Sequence, residues 1–228
     1  MGSIIELRNV DKTYTGAIDV QALFGVDLSF EEGSCSSVMG ESGSGKSTLL
    51  NIMGTLDVPT RGKVFINGQR TDTMGKNRLA ELRNETIGFV FQYHYLLPEF
   101  TAIENALIPY LIKSGKADKE ILERAEDLFE MMGISNVKNN AAARMSGGQQ
   151  QRTAIVRALI NNPRILLADE PTGNLDSRTT ERVCKNFREI NERFGTTFVV
   201  VTHNSEVAKH TDRVVKMQDG RIEADIRK

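Results

Sequence analysis

The chain has 228 residues, and its 29 lysine and arginine side chains almost balance its 30 acidic ones, giving a formal net charge of −1. This balance gives no sign of the clustered basic surface that nucleic-acid-binding proteins usually carry, nor of a polybasic membrane anchor. No apolar run approaches the roughly 20 residues of a membrane-spanning helix. The two cysteines, Cys35 and Cys184, are in no metal-ligand spacing, which indicates reduced thiols.

Short β-favouring runs, separated by Gly, Pro and Asn, dominate the first ninety residues. Strands are predicted at residues 4–10, 22–30, 34–39, 63–66 and 87–91. Helices are predicted directly after Gly45 and over residues 77–84. This part of the chain therefore predicts a small antiparallel layer followed by the first pieces of an α/β core.

The chain turns helical from about residue 101 to 161 and then alternates again. Residues 118–132 carry apolar side chains at helical spacing and end at Gly133, where a C-cap is expected. Strands are predicted at 164–168 and 197–202, a helix at about 178–194, and a hairpin at 214–225 that turns at Asp219-Gly220. The pattern predicts one α/β domain over residues 1–228. Residues 1–92 and 160–228 would form the core with its β subdomain, and about 93–159 a helical subdomain.

Residues 40–47 match the phosphate-binding loop pattern G-x-x-x-x-G-K-[ST] at every fixed position. Glycines let the backbone turn its N–H groups toward an anion, and the next helix adds its N-terminal dipole. Lys46 is expected to reach the β- and γ-phosphates and Ser47 to hold Mg²⁺. A loop that merely turns a corner is the alternative, which the strand-loop-helix setting disfavours. The predicted nucleotide-binding residues here are Gly40, Glu41, Ser42, Gly43, Ser44, Gly45, Lys46, Ser47 and Thr48.

Two carboxylates, Asp169 and Glu170, stand at the carboxyl end of the strand predicted at 164–168. Asp169 is placed to hold Mg²⁺ through water. Glu170 would lie beside the γ-phosphate and could polarise an attacking water. For this dipeptide alone, solvated charges at a strand end are the better explanation. Together with the phosphate loop, the pair favours nucleotide hydrolysis.

A second anion cradle is predicted at residues 145–149, where Ser146, Gly147 and Gly148 open an apolar helix. Taken alone, the serine is better explained as an ordinary helix N-cap. In order with the other motifs, the run resembles the signature motif of ABC ATPases, with Met145 in place of the usual leucine, a volume-conserving change. The resemblance implies an ATPase that closes as a head-to-tail homodimer, with each ATP between one chain's phosphate loop and the other's signature.

Further positions resemble the ABC pattern in chain order. Tyr14 resembles the aromatic residue that stacks on adenine, although an ordinary packed or exposed tyrosine is an alternative. Gln92 resembles the glutamine that touches Mg²⁺, residues 174–176 a loop that communicates across the dimer, and His203 the histidine that senses the γ-phosphate. A lone histidine at a strand end would more often be structural, but its position in this order favours the functional role.

The resemblance covers essentially the whole chain and implies a role for each matching residue. The residues implied as catalytic are Glu170, His203 and Lys46. The residues implied to bind nucleotide in trans are Ser146, Gly147, Gly148, Gln149 and Asp176. The residues implied to bind the metal of Mg-ATP are Ser47, Gln92 and Asp169.

The segment from Gln92 to Asn105 resembles ATPases of lipoprotein-releasing (LolD-type) systems and of related macrolide-export (MacB-type) systems. This resemblance implies integral membrane permease subunits as partners and a cytoplasmic location on the inner face of the membrane, without nucleic acid. Related cell-division and peptide-sensing ATPases have similar sequences. Chromosome- or ribosome-associated ABC ATPases would carry a long coiled-coil insertion or two tandem cassettes, and this sequence has neither. A scaffold that never hydrolyses ATP would not need Glu170 and His203.

Overall fold

Ten strands and seven α-helices make up the part of the chain that the computed structural model describes, residues 2–173, 175 and 177–228. The strands are β1 (Ser3–Tyr14), β2 (Val20–Glu31), β3 (Cys35–Met39), β4 (Arg61–Ile66), β5 (Gln69–Arg70), β6 (Ile87–Val90), β7 (Ile165–Asp169), β8 (Thr197–Thr202), β9 (Arg213–Gln218) and β10 (Arg221–Arg227). The α-helices are α1 (Lys46–Met53), α2 (Lys76–Thr86), α3 (Ala102–Ser114), α4 (Lys119–Met131), α5 (Gly147–Leu159), α6 (Ser177–Phe194) and α7 (Ser205–Lys209).

The smaller of two sheets is antiparallel, with strand order β2-β1-β4-β5. Its strands alternate between the core and solvent: in β2, Val26, Leu28 and Phe30 are buried while Asp27 and Ser29 are exposed. Such alternation is typical of a sheet with one face packed on the core and the other exposed to solvent. The antiparallel layer predicted near the N-terminus is therefore confirmed.

The larger sheet has six strands in the order β10-β9-β3-β8-β7-β6, parallel except for the β9–β10 hairpin. β8 is buried along its whole length and β7 up to Ala168, which explains their continuous apolar runs. Met39 pairs with Thr202 and Asp169 with Val201, so β3, β7 and β8 end at the same edge. The topology thus brings the phosphate loop, the two carboxylates and His203 together.

Two clusters of buried side chains form the core. One places Leu49, Leu50 and Met53 of α1 between the antiparallel sheet and the larger sheet. The other joins α3, α4 and α5 to the opposite side of the larger sheet and includes Phe129 and Ile155, both fully buried. Helix α1 is therefore packed on both sides, which fixes the helix that begins at the phosphate loop.

Most predicted elements agree with the structure to within a few residues, and two short ones, β5 and α7, were not predicted. The hairpin between β9 and β10 turns at Asp219 and Gly220, whose φ angles of 48° and 72° suit a two-residue hairpin turn. Helices α3, α4 and α5 lie within the segment predicted to be helical, whose boundaries as a subdomain stay a prediction. Among the described residues, no helix is both long and apolar enough to cross a membrane.

Candidate functional site

The phosphate loop connects β3 to α1, and its backbone leaves no room for side chains at two glycines. A Cβ atom on Gly40 would lie 2.3 Å from the carbonyl oxygen of Met217, and one on Gly45 would lie 2.7 Å from that of Ala22. Gly45 and Gly43 also have φ angles of 96° and 81°, in the region that favours glycine. The loop therefore requires the glycines that the motif supplies, and the β9–β10 hairpin supports it from behind.

Lys46 lies at the start of α1, and its side chain folds back into the phosphate loop. The Nζ atom donates hydrogen bonds to the carbonyl oxygens of Gly40, at 2.8 Å, and Glu41, at 2.6 Å. The residue is 9% exposed, so its ammonium group is held inside the loop. A cation fixed among inward-facing loop atoms is well placed to meet phosphate oxygens.

Asp169 ends β7 directly opposite the start of α1. The Ser47 hydroxyl donates to Asp169 Oδ2 over 3.3 Å. Burial raises the pKa of Asp169 above its ordinary value, and the nearby Glu170 adds to the rise, while the hydrogen bond from Ser47 opposes it. The carboxylate is therefore held at a cost in folding free energy, as is common at functional sites.

Glu170 follows β7 in a left-handed backbone conformation, with φ of 44°. Such a conformation is uncommon for residues other than glycine and costs on the order of 1–3 kcal/mol. The carboxylate accepts hydrogen bonds from the Thr202 hydroxyl at 3.0 Å and the His203 backbone N–H at 2.9 Å, and it lies 2.6 Å from His203 Nδ1. The surrounding contacts thus fix both the backbone and the carboxylate of Glu170.

These groups meet in a cleft of about 710 Å³ at the carboxyl edge of the larger sheet. It also contains Ala22 of β2. The predicted site residues that line it are Glu41, Ser42, Gly43, Gly45, Lys46, Ser47, Thr48, Gln92, Asp169, Glu170 and His203. Gly40 and Ser44 line a neighbouring cavity of about 540 Å³ that shares Glu41, Ser42, Gly43 and His203. The motifs that are far apart in sequence therefore converge on one surface.

The second predicted cradle does not line this cleft. Ser146 caps the N-terminus of α5, where its Oγ accepts from the Gln149 N–H at 3.4 Å and its own N–H donates to Gln149 Oε1 at 2.9 Å. A Cβ atom on Gly147 would meet nothing within 4 Å, and one on Gly148 would make ordinary contacts at 3.8 Å. The packing of this chain therefore does not require either glycine.

Tyr14 is a further predicted position that stands apart from the cleft. Tyr14, at the end of β1, is 42% exposed and does not line it. In the loop before α6, Asn174 and Asp176 lie outside the described residues.

The sequence reasoning did not identify Thr202 or Arg157. Thr202 holds the Glu170 carboxylate, as described above, and only its place at the end of a predicted strand could have indicated it. Arg157, in α5, donates to the backbone carbonyl oxygens of His94 at 2.7 Å and Tyr95 at 2.6 Å. It thereby ties the segment after Gln92 to the helix that begins at Ser146, a long-range contact that no local pattern signals.

Asp169→Asn is expected to stabilise the protein in the absence of nucleotide. An acid whose pKa is raised by folding lowers stability once the pH exceeds its unfolded pKa, and that penalty disappears when both states are protonated at low pH. The asparagine can still accept from Ser47. Thermal unfolding near pH 7 should therefore show a gain of about 1 kcal/mol, or roughly 2–4 °C, that shrinks as the pH falls.

A matched control for that measurement is Asp72→Asn. Burial also opposes ionisation of Asp72, but hydrogen bonds from Arg70 and the Val64 N–H outweigh it and lower its pKa. This variant should lose stability near pH 7. Equal losses for both variants would contradict the interpretation of Asp169 as a destabilising carboxylate.

Comparison with known proteins agrees with the arrangement of the site. The family model described as ABC transporter matches residues 23–173. The lipoprotein-releasing system ATP-binding protein LolD 1 of Rhodopseudomonas palustris is 46% identical over 97% of this chain and 99% of its own length. The corresponding LolD protein of Aquifex aeolicus is 47% identical over 99% of each chain. An uncharacterised ABC transporter ATP-binding protein of Thermotoga maritima is 49% identical over 98% of this chain and 95% of its own length.

Solved structures give the same result. A dimeric ATP-binding cassette in a post-hydrolysis state, bound to ADP and Pi, superposes with a TM-score of 0.91 at 43% identity, covering 98% of both chains. A dimeric bacterial ABC transporter cassette superposes with a TM-score of 0.92 at 44% identity and the same coverage. The resemblance predicted from the motifs is confirmed, and the chain belongs to the ABC transporter ATP-binding family, as an ATPase subunit of such a system.

Proposed function

We propose that this ATPase works as a head-to-tail pair on a membrane permease and drives the release of lipoproteins from a membrane. The observation that carries the proposal is the cleft in which Lys46, Asp169 and Glu170 converge, in a chain with LolD relatives of nearly equal length. Each part of the proposal rests on separate contacts.

The phosphates of ATP would bind against the loop and the start of α1. Lys46 would exchange its bonds to the Gly40 and Glu41 carbonyls for phosphate oxygens, because a charged acceptor is the stronger partner. The Ser47 hydroxyl and the Asp169 carboxylate, 3.3 Å apart, are the hard oxygen donors that suit Mg²⁺, and Gln92 on the same cleft adds an amide. The metal would supply positive charge beside the phosphate oxygens.

Hydrolysis would use Glu170 as the group that orients and deprotonates water. Its carboxylate already accepts from Thr202 and His203, so it is fixed without further ordering. The water oxygen bonds to the γ-phosphorus as the bond to the β-phosphate oxygen breaks, and Glu170 takes the proton. Lys46 and the exposed His203 ring would offset the charge on the leaving phosphates.

The signature residues would serve the nucleotide of a second copy. Gly147 and Gly148 are poorer helix formers than alanine, and no close contact in their own chain requires the absence of a side chain at either position. A helix N-terminus that carries no bulky side chains offers its backbone N–H groups to an anion that approaches closely. In a head-to-tail pair, that anion would be the γ-phosphate held by the other chain.

The permease would dock on an apolar groove of about 560 Å³ beside the segment that follows Gln92. Tyr95 and Ile112 in this groove are 67% and 75% exposed, and Phe89 stacks on Phe91 with ring centroids 5.6 Å apart. Arg157 also lines the groove while it holds the carbonyl of Tyr95. A short amphipathic helix on the cytoplasmic side of the permease fits these features, and it would hold the ATPase at the inner face of the membrane.

Lipoprotein release is the cargo function that we favour over MacB-type export. The relatives in Rhodopseudomonas palustris and Aquifex aeolicus carry that name and match almost end to end. In the segment that suggested this subfamily, the buried amide of Asn105 bonds the N–H and carbonyl of Leu97, at 2.7 and 3.0 Å, and the carbonyls of Phe100 and Thr101. The surface beside the groove is therefore fixed before any partner binds.

Co-purification and reconstitution test this proposal. The tagged chain, expressed with the permease subunits of its own host and extracted in mild detergent, should retain them, and Ile112→Glu should lose them. Leu122→Glu, a similar change at an exposed position of α4, should not. In proteoliposomes that contain the complex and an acylated lipoprotein, ATP should release the lipoprotein. ATP hydrolysis without release would contradict the assigned cargo, and retention by Ile112→Glu would contradict the docking site.

A further inference from the structure

Tyr14 is held by two charged side chains outside the nucleotide cleft. Its hydroxyl donates to Asp57 Oδ2 at 3.0 Å, and the Lys12 ammonium lies 4.8 Å from the centre of its ring. Lys12 Nζ also donates to Asp57 Oδ1 at 2.6 Å and to the carbonyl of Val58 at 2.9 Å. We call Lys12, Tyr14 and Asp57 the tyrosine clamp.

Asp57 is a firm anchor because it is fixed to the phosphate-loop helix. Its backbone N–H, and that of Leu56, donate to the carbonyl of Asn51 in α1. Burial opposes ionisation of Asp57, but hydrogen bonds from Lys12, the Val58 N–H and Tyr14 outweigh it and hold its pKa below the ordinary value. The acceptor is therefore a carboxylate at neutral pH.

The clamp lies next to the cleft. Tyr14 pairs with Val20 across the β1–β2 ladder, two residues before Ala22. Ala22 lines the cleft, and its carbonyl oxygen closely approaches Gly45 at the start of α1. Two residues thus connect the end of β1, which carries Tyr14, to the phosphate loop and its helix. Ala22 approaches Gly45 at the start of α1, and Asp57 is bonded to Asn51 within α1.

We propose that Asp57 and Lys12 are positioning residues that hold the Tyr14 ring as a preformed stacking platform for the base of the bound nucleotide. The inference rests on the proposed function, extended by the adenine-stacking role that the resemblance to ABC ATPases implies for Tyr14. An exposed aromatic side chain must otherwise be immobilised when the nucleotide binds, at a cost in affinity. The Lys12 ammonium lies over one face of the ring, and the side chain is 42% exposed, so the base would stack on the opposite face.

A purely structural role is the competing explanation, because an ion pair between β1 and the loop after α1 could simply connect the two. The two explanations differ in what they predict for ligands without a base. Inorganic tripolyphosphate occupies the phosphate loop but offers nothing to stack. Loss of a stacking platform would weaken the binding of ATP alone. A structural change that spreads through α1 would weaken the binding of both ATP and tripolyphosphate.

The experiment measures KM for ATP, kcat and the inhibition constant of tripolyphosphate for the full-length chain. Tyr14→Ala should raise KM by about 10- to 100-fold, as expected for the loss of one base–aromatic stack. Tyr14→Phe and Asp57→Asn should each raise KM by about three- to tenfold, with kcat unchanged. Their combination should raise KM by less than the product of the two single effects, because both weaken the same contact between Tyr14 and Asp57. Tripolyphosphate inhibition should not change in any of them.

Asp72→Asn is the matched control, since Asp72 is also a carboxylate in an ion pair with a basic residue of the antiparallel sheet, and the variant should keep the wild-type KM. Weaker tripolyphosphate inhibition in Asp57→Asn would overturn the proposal. So would a wild-type KM in Tyr14→Phe, which removes one oxygen and remains informative even if Asp57→Asn fails to fold. If Tyr14→Ala itself keeps the wild-type KM, the stacking role of Tyr14 within the proposed function fails instead.

Discussion

Glu170→Gln is expected to bind ATP, to lose about 10²- to 10⁴-fold in turnover, and to accumulate as a dimer when Mg-ATP is added. The amide cannot accept a proton from water, so the γ-phosphate stays intact between the two chains. Its shape is retained: Oε1 can accept from the His203 N–H, and the Thr202 hydroxyl can rotate to accept from the new amide. The variant should therefore fold normally while its hydrolysis is slowed by that factor.

The measurement is the mass in solution by light scattering, with and without Mg-ATP, together with steady-state phosphate release. Mg-ADP and ATP with EDTA are the controls, and both should leave the variant monomeric. Wild-type turnover by Glu170→Gln would contradict the role of Glu170 as the base. A variant that is inactive and binds ATP but never dimerises would keep that role and contradict the shared site.

The strands could be predicted well from the sequence because buried strands are made of apolar residues, and such runs are visible in the local sequence. β7 and β8 are covered on both faces, so nearly every residue in them is apolar or uncharged, and their bounds were predicted to within one or two residues. β1 continues to Tyr14, although the prediction ended at residue 10, because Asp11 and Lys12 are polar. Those residues are held by long-range contacts with other parts of the chain, including Asp57 and Gln21, which a local pattern cannot contain.

The candidate site likewise has features that the local sequence predicts and features that depend on long-range contacts. Motif spacing was sufficient to name Lys46, Asp169 and Glu170, because their chemistry requires them at the ends of particular strands and helices. It could not give the left-handed backbone of Glu170, since that conformation is imposed by contacts from β8. The motif indicated both possible roles of Ser146, as an N-cap and as a phosphate ligand, but it could not separate them, because the two roles use the same residue types at the same spacing.

Gly148→Asp separates these two roles, and it is expected to change folding and function in opposite directions. An aspartate in the first turn of α5 favours the helix by replacing a glycine and by complementing the dipole, worth together about 1 kcal/mol. A Cβ atom there makes only ordinary contacts with Leu175 and Thr179. The thermal midpoint should therefore stay the same or rise. In the composite site, however, the new carboxylate would face the other chain's γ-phosphate, and like charges held together without water repel strongly.

The Gly148→Asp change is tested in a chain that also carries Glu170→Gln, because that chain is expected to accumulate as a dimer. The double variant should bind a fluorescent ATP analogue as well as Glu170→Gln does, because its own phosphate loop is intact, yet remain monomeric in Mg-ATP. Gly75→Asp supplies the control: Gly75 caps α2, open space surrounds it, and an aspartate there should stabilise the protein without affecting the dimer. If the Gly148→Asp double variant still dimerises with ATP, the start of α5 does not face the nucleotide, and Ser146 is only the helix cap that its hydrogen bonds with Gln149 describe.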